Sequence, residues 1–163
     1  MAEPAQVLEL PISRQLLRDE PIMHLSYTAR DGGPRVIPIG YVWDGARFLM
    51  WTVPDSVKVG ALRADERVAI TIDVPGPPPR VLLARGRAAL ETVDGVPDGY
   101  LEASHRTMPR EAWDDFDTQV RGLYKQMTVI TVTPDWAKLL DFETTMPSAV
   151  EKLFREQNPS AAG

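Results

Sequence analysis

Residues 34–73, PRVIPIGYVWDGARFLMWTVPDSVKVGALRADERVAITID, constrain the fold more than any other stretch. Strand, turn and helix signals follow one another there at short spacing. Arg35 to Trp43 is dense in β-branched and aromatic residues and reads as a strand. Asp44-Gly45 is a two-residue hairpin turn of the kind that reaches positive φ without strain, and Arg47 to Thr52 returns as a second strand. Pro54 and Asp55 end that strand. Asp55 or Ser56 is placed to cap a helix running to Ala64, and Glu66 to Asp73 is strand again.

The flanking sequence extends this core. Residues 1–12 carry two prolines and little periodicity, so an extended N-terminal arm is expected. Ser13 can cap a short helix, RQLLRD, stopped by Pro21. Ile22 to Ala29 alternates as a strand with Met23, Leu25 and Tyr27 on one face, and Arg30 to Pro34 has the composition of a turn. Residues 74–79 hold four prolines, which lack ladder donors, so they form a hairpin loop. Arg80 to Thr92 is the longest strand candidate, with Gly86 marking a bulge or a close backbone approach. Asp94 to Gly99 is turn-rich.

Pro109 then opens an amphipathic helix with Trp113, Phe116, Val120, Leu123 and Tyr124 on one face. Gln126 to Thr133 is apolar on both faces and reads as a central strand ended by Pro134. Trp136 to Phe142 extends the sheet, Ser148 caps a last helix through Arg155, and residues 157–163 are expected to fray. Strands joined by hairpins without regular helix alternation make the chain α+β, mainly an antiparallel barrel of about six or seven strands with peripheral helices. At 163 residues it is long enough for a single domain, 1–163.

Charge and composition narrow the function. Residues 30–90 hold nine Lys/Arg against six Asp/Glu, whereas residues 91–163 hold seven against thirteen. A net charge of −5 without a long basic run argues against nucleic acid and for a small anionic ligand near the strand-rich core. No apolar run approaches the roughly 18 residues of a membrane span. The first residues lack the basic start and apolar block of a signal peptide, so a cytoplasmic protein is expected. There is no cysteine, which excludes thiol chemistry and thiolate metal sites.

Nucleotide-binding glycine motifs, a nucleophile elbow and zinc-protease spacing are all absent from the sequence. His24 and His105 stand alone in sequence and read as structural, so no metal site is expected. Asp114, Asp115 and Asp117 read as the solvated face of their helix. No catalytic residue emerges. The positive signal is Thr52-Val53-Pro54-Asp55-Ser56-Val57-Lys58. A helix N-terminus with free N–H groups, two hydroxyls and a lysine that the dipole alone would repel fits a phosphate. An ordinary capped helix with a solvated lysine is the competing reading.

In order and spacing, PRVIPIGYVWDG (34–45), FLMWT (48–52), SVKVGALRADERVAI (56–70) and RVLLARGRAAL (80–90) resemble the pyridoxamine 5′-phosphate oxidase-like flavin split-barrel family. The resemblance covers residues 20–93, with a weaker echo at 128–142. It implies a split barrel and a homodimer with two flavin-type sites at the interface. The ring would lie along Val36, Ile37, Pro38 and Ile39, with the phosphate near Thr52, Ser56 and Lys58. Arg80, Arg85 and Trp136 are further candidates, the tryptophan reaching across from the partner subunit. FMN is the family expectation, and the deazaflavin coenzyme F-420 the alternative. The basic strand motif and C-terminal arginine signature of true pyridoxamine-phosphate oxidases are missing, which points away from vitamin B6 oxidation. The implied function is an oxidoreductase transferring hydride to a small organic substrate. A flavin-sequestering protein, a haem-handling split barrel and a cofactor-free dimeric interaction module are the alternatives.

Overall fold

A computed structural model describes residues 3–157 of the chain. Its sheet comprises β1 (Ile22–Thr28), β2 (Pro34–Gly40), β3 (Val42–Trp43), β4 (Phe48–Thr52), β5 (Arg67–Val74), β6 (Arg80–Asp94) and β7 (Gln126–Leu140). Six helices accompany it: α1 (Pro4–Leu8), α2 (Pro11–Asp19), α3 (Val57–Ala64), α4 (Asp98–His105), α5 (Trp113–Leu123) and α6 (Ser148–Gln157). All strand pairs are antiparallel, in the order β2-β1-β5-β6-β7-β4-β3.

The two edge strands of that order, β2 and β3, are joined by one residue, Tyr41. Opposite edges of one sheet can be a residue apart only if the sheet curls on itself. The result is a barrel closed by the chain and not by a ladder, which is a split barrel. The segment read as one strand, Arg35 to Trp43, is thus broken at Tyr41 to serve both edges.

Tyr41 is fully buried, and its hydroxyl donates to the carbonyl of Leu17 at 3.2 Å. Burial pushes its phenol up to about 12, against the opposing charge of Arg106. Arg106, just past α4, ties the seam from outside. Its guanidinium donates to the carbonyls of Tyr41, Arg18 and Glu20 at 2.9–3.0 Å. Inside the barrel, Met23, Leu25, Phe48, Met50, Ile70, Leu82 and Ile130 form the core, each almost inaccessible to solvent. Burying each such side chain contributes about 1.5–3 kcal/mol. The opposite face of β4 and β7 presents Trp51 and Met127 to Leu101, Ala103 and Val120 of α4 and α5, a second smaller core.

Several local expectations are corrected. The N-terminal arm is helical, because Pro4 and Pro11 both stand in first turns, where a missing N–H costs nothing. Leu8, Leu16 and Leu17 then bury against the barrel. Ser13 lies inside α2, fully buried, and Leu10 occupies the cap position. The hairpin between β3 and β4 turns one residue later than expected: Asp44 N–H donates to the Arg47 carbonyl, while the Asp44 carboxylate accepts from the Ala46 and Arg47 N–H groups. Gly45 carries the positive φ, +97°.

The turn-rich stretch after β6 leads directly into α4, which its glycine and aspartate content concealed. On α5, Leu123 is 63% exposed and leaves the apolar face. Pro134 does not end its strand. It faces Gly86 where the β6–β7 register shifts, two residues beyond the last pairing of β7 with β4, so its missing N–H costs no bond on that side. The expected bulge at Gly86 is there. Gln157 closes α6, and the rest of the expected frayed tail lies outside the described residues.

Candidate functional site

The geometry of interest begins where β4 ends. Thr52 is the last residue of β4, Pro54 forbids further pairing, and Ser56 adopts the extended conformation of an N-cap (φ −66°, ψ 144°). A serine there ordinarily accepts a bond from the first helical turn. Ser56 does not: its Oγ is buried and has no hydrogen-bond partner among the described residues. The N–H groups of Val57 and Lys58 likewise meet no acceptor there. Lys58, in the first turn, folds back so that Nζ donates to Thr52 Oγ1 at 3.1 Å. Burial lowers its pKa from the ordinary lysine value. A half-buried ammonium at the positive end of a helix, answered by one neutral hydroxyl, is an incomplete electrostatic arrangement. An anion would complete it.

Beside this turn lies a cleft of about 290 Å³ lined by Arg30, Pro54, Asp55, Ser56, Val57, Gly60 and Arg63. Two of its cations escaped the sequence reading. Arg30 looked like turn composition, although it closes over α3: its guanidinium carbon lies 3.6 Å from where a Cβ on Gly60 would stand. Arg63 is spaced three and six residues from Gly60 and Val57, which puts all three on one helical face. That spacing was the available signal.

The other predicted residues separate into two groups. On β2, Ile37 and Ile39 pack onto the core, while Val36 (63% exposed) and Pro38 face outward. The β1–β2 turn carries Arg30, whose side chain reaches α3 at Gly60. Arg85 and Trp136 sit opposite each other on β6 and β7, the guanidinium over the indole at 4.5 Å. They share an outward row with Val36, Ser26 and Ala69. Four strand spacings separate the ends of that row, about 19 Å along the sheet. Trp136 is also eight residues along β7 from Thr128, the partner of Thr52, roughly 26 Å of strand. One chain therefore does not bring Trp136 to Lys58. Arg80 is elsewhere again, donating to Gln15 of α2 at 3.3 Å.

The histidines are engaged structurally. His24 lies 3.7 Å from Asp73, and His105 stacks on Trp113 at 4.1 Å with Nε2 2.7 Å from Asp117. Asp117 is thus part of the α4–α5 contact and not of a solvated face. Among the described residues no cluster of His, Asp and Glu could hold a metal ion. No helix there is long and apolar enough to cross a membrane. At the far end of β2, Ile39 and Gly40 join Ile22, Trp51, Tyr100 and Phe116 around an apolar cleft of about 280 Å³.

The family model described as pyridoxamine 5′-phosphate oxidase matches residues 12–141. A search of curated proteins returns no match. Among solved structures, one named F420 reductase superposes with a TM-score of 0.58 at 23% identity, covering 77% of this chain and 94% of that one. A Clostridium acetobutylicum protein of the pyridoxinephosphate oxidase family gives 0.56 at 14% identity, covering 79% and 85%. A FAD-binding protein from Mesorhizobium loti gives 0.50 at 19% identity, covering 77% and 89%. At these identities the superpositions establish the shared fold.

Proposed function

This chain belongs to the pyridoxamine 5′-phosphate oxidase family, and from that premise we propose that it is a flavin-dependent oxidoreductase acting on a small organic substrate. The observation that carries the reading is the start of α3, where Lys58, the buried Ser56 Oγ without a side-chain or backbone partner and the first N–H groups of the helix lie within three residues. Thr52, Ser56 and Lys58 would hold the phosphate of FMN or of the deazaflavin F-420. Structures named F420 reductase and FAD-binding protein share the fold, which supports a flavin-type group without choosing between them.

When bound, the ring supplies hydride chemistry, so the protein need only hold, orient and shield it. Val36 and Pro38 offer an outward apolar shelf for that ring. The cleft lined by Trp51, Tyr100 and Phe116 adjoins the end of the same strand and offers a largely apolar place for the substrate. One chain keeps Trp136 away from Lys58, so a site using both would need two copies, and the reading includes a homodimer with interfacial sites. The test is a titration of the purified protein with FMN and with the deazaflavin, followed by ring fluorescence. Saturable stoichiometric binding of either, followed by reductant-dependent turnover, is the expected result. Binding without turnover would favour sequestration, and no binding of either would remove the enzyme reading.

A further inference from the structure

Resting on the oxidoreductase reading above, we propose that the cleft bounded by Trp51, Tyr100 and Phe116 selects a substrate without net charge, a flat molecule of one or two rings that carries an N–H or O–H donor. A quarter of the chain is charged (25%), yet among the described residues no side chain lining this cleft is. Three other clefts differ. The one beside α3 holds Arg30, Asp55 and Arg63, the one at the Tyr41 seam holds Arg14, Arg18 and Asp44, and the one on the far side of α4 holds His105, Asp117 and Arg121. The helix makes the division. On α4 and the turn after it, Tyr100, Ala103, Ser104 and Thr107 face the neutral cleft, whereas Leu101, Glu102, His105 and Arg106 face the far side. Spacings of three and four residues put each set on one face.

The charges nearest in sequence are already engaged: Arg106 donates to backbone carbonyls, and His105 is bonded to Asp117. A carboxylate or an ammonium entering the cleft would give up water and meet no opposite charge, and that desolvation opposes its binding. Tyr100 is the one ionisable group in the lining. Burial, and then the neighbouring Tyr124, raise its pKa above the ordinary phenol value, so it stays neutral. The hydroxyls set the polarity. Ser104 Oγ donates to the Tyr100 carbonyl at 2.8 Å, and Thr107 Oγ1 donates to the Ser104 carbonyl at 2.8 Å. Each hydroxyl has one proton to give, so both oxygens are left as acceptors and a ligand must bring the donor. The walls set the shape. Tyr100 and Phe116 stack at 6.2 Å with their planes 28° apart. The Trp51 indole lies against Gly99, where a Cβ would stand 2.6 Å from its Cη2. Aromatic faces favour a flat partner. A volume of about 280 Å³ falls just below the range that holds drug-sized ligands, which limits that partner to one or two rings.

The test uses probes of one shape and different charge: naphthamide (neutral), naphthoate (anionic) and naphthamidinium (cationic), with methyl naphthoate as the neutral probe that lacks a donor. Each is titrated into the full chain, with and without FMN, and followed by nuclear magnetic resonance at the Trp51 indole N–H and the backbone N–H groups of Ala103 and Ser104. Naphthamide should shift these signals saturably, and both ions should bind at least about tenfold more weakly. Methyl naphthoate should bind roughly threefold to tenfold more weakly than naphthamide, the effect of one hydrogen bond. Thr107→Lys, at an exposed position of the lining, should raise naphthoate affinity at least about tenfold, and the uncharged Thr107→Gln should not. A difference of less than about tenfold between naphthamide and either ion overturns the charge selection. Equal binding of the amide and the ester removes the donor requirement, and no Trp51 shift with naphthamide rejects the cleft. The flavin reading fails separately: if naphthamide binds and no flavin does, the cleft stands without the cofactor, and if a flavin binds while the ions match the amide, only the substrate class falls.

Discussion

Lys58 concentrates the residue-scale argument. A serine at its usual cap position that does not cap, and a lysine where the helix dipole opposes it, are two local rules broken within three residues. Lys58→Ala should weaken cofactor binding by roughly 1–3 kcal/mol, the range for a charge-assisted contact. Fluorescence titration checks this, and unchanged affinity for both cofactors would remove the phosphate site. Asp141 is a different kind of polar residue, 1% exposed after β7. Burial alone would raise its pKa, but hydrogen bonds from Thr144, Thr145 and Glu143 outweigh that and hold the carboxyl well below the usual range. Its folded value lies below the unfolded value of about 3.9, so its stabilisation is complete above that pH and is lost as pH falls toward the folded value. Urea unfolding at about pH 5 and pH 2.5 should show Asp141→Asn losing about 1–3 kcal/mol less than wild type over this window. Equal losses would reject the role.

At the scale of elements, the long β6–β7 ribbon depends on one glycine. A Cβ on Gly86 would stand 2.4 Å from the Thr133 carbonyl oxygen and 2.9 Å from Val132 Cγ1. The first obstacle is backbone, which cannot swing aside. Gly86→Ala should therefore destabilise the fold by about 1–3 kcal/mol, as overpacking does, measured by chemical denaturation. A neutral result would mean that the bulge relaxes freely. This bulge was legible because glycine inside a strand pattern has few explanations. Continuation through Pro134 was not, since the sequence does not say that β4 has ended two residues earlier. The start of α3 was legible from Pro54 and Ser56. That Ser56 would leave its cap unused was not, because capping depends on a side-chain rotamer set by the surroundings.

For the whole molecule, the seam at Tyr41 and the separation of Trp136 from Lys58 matter most. If the site spans two copies, light scattering at micromolar concentration should give twice 18.1 kDa. Trp136→Ala should raise the dimer dissociation constant by roughly tenfold, as loss of an aromatic anchor does. A wild-type monomer would contradict the interfacial site. By itself, the sequence determined most of the strands, the proline loop, the antiparallel α+β class and the place where α3 starts. These rest on patterns within a few residues, where periodicity, proline and glycine act directly on the backbone. The tertiary structure alone decided that residues 34–43 serve both edges of the sheet and that Arg30 and Arg63 face one cleft. Those facts depend on which distant segments meet when the sheet curls, and pairing between segments far apart in sequence leaves no local periodicity to read.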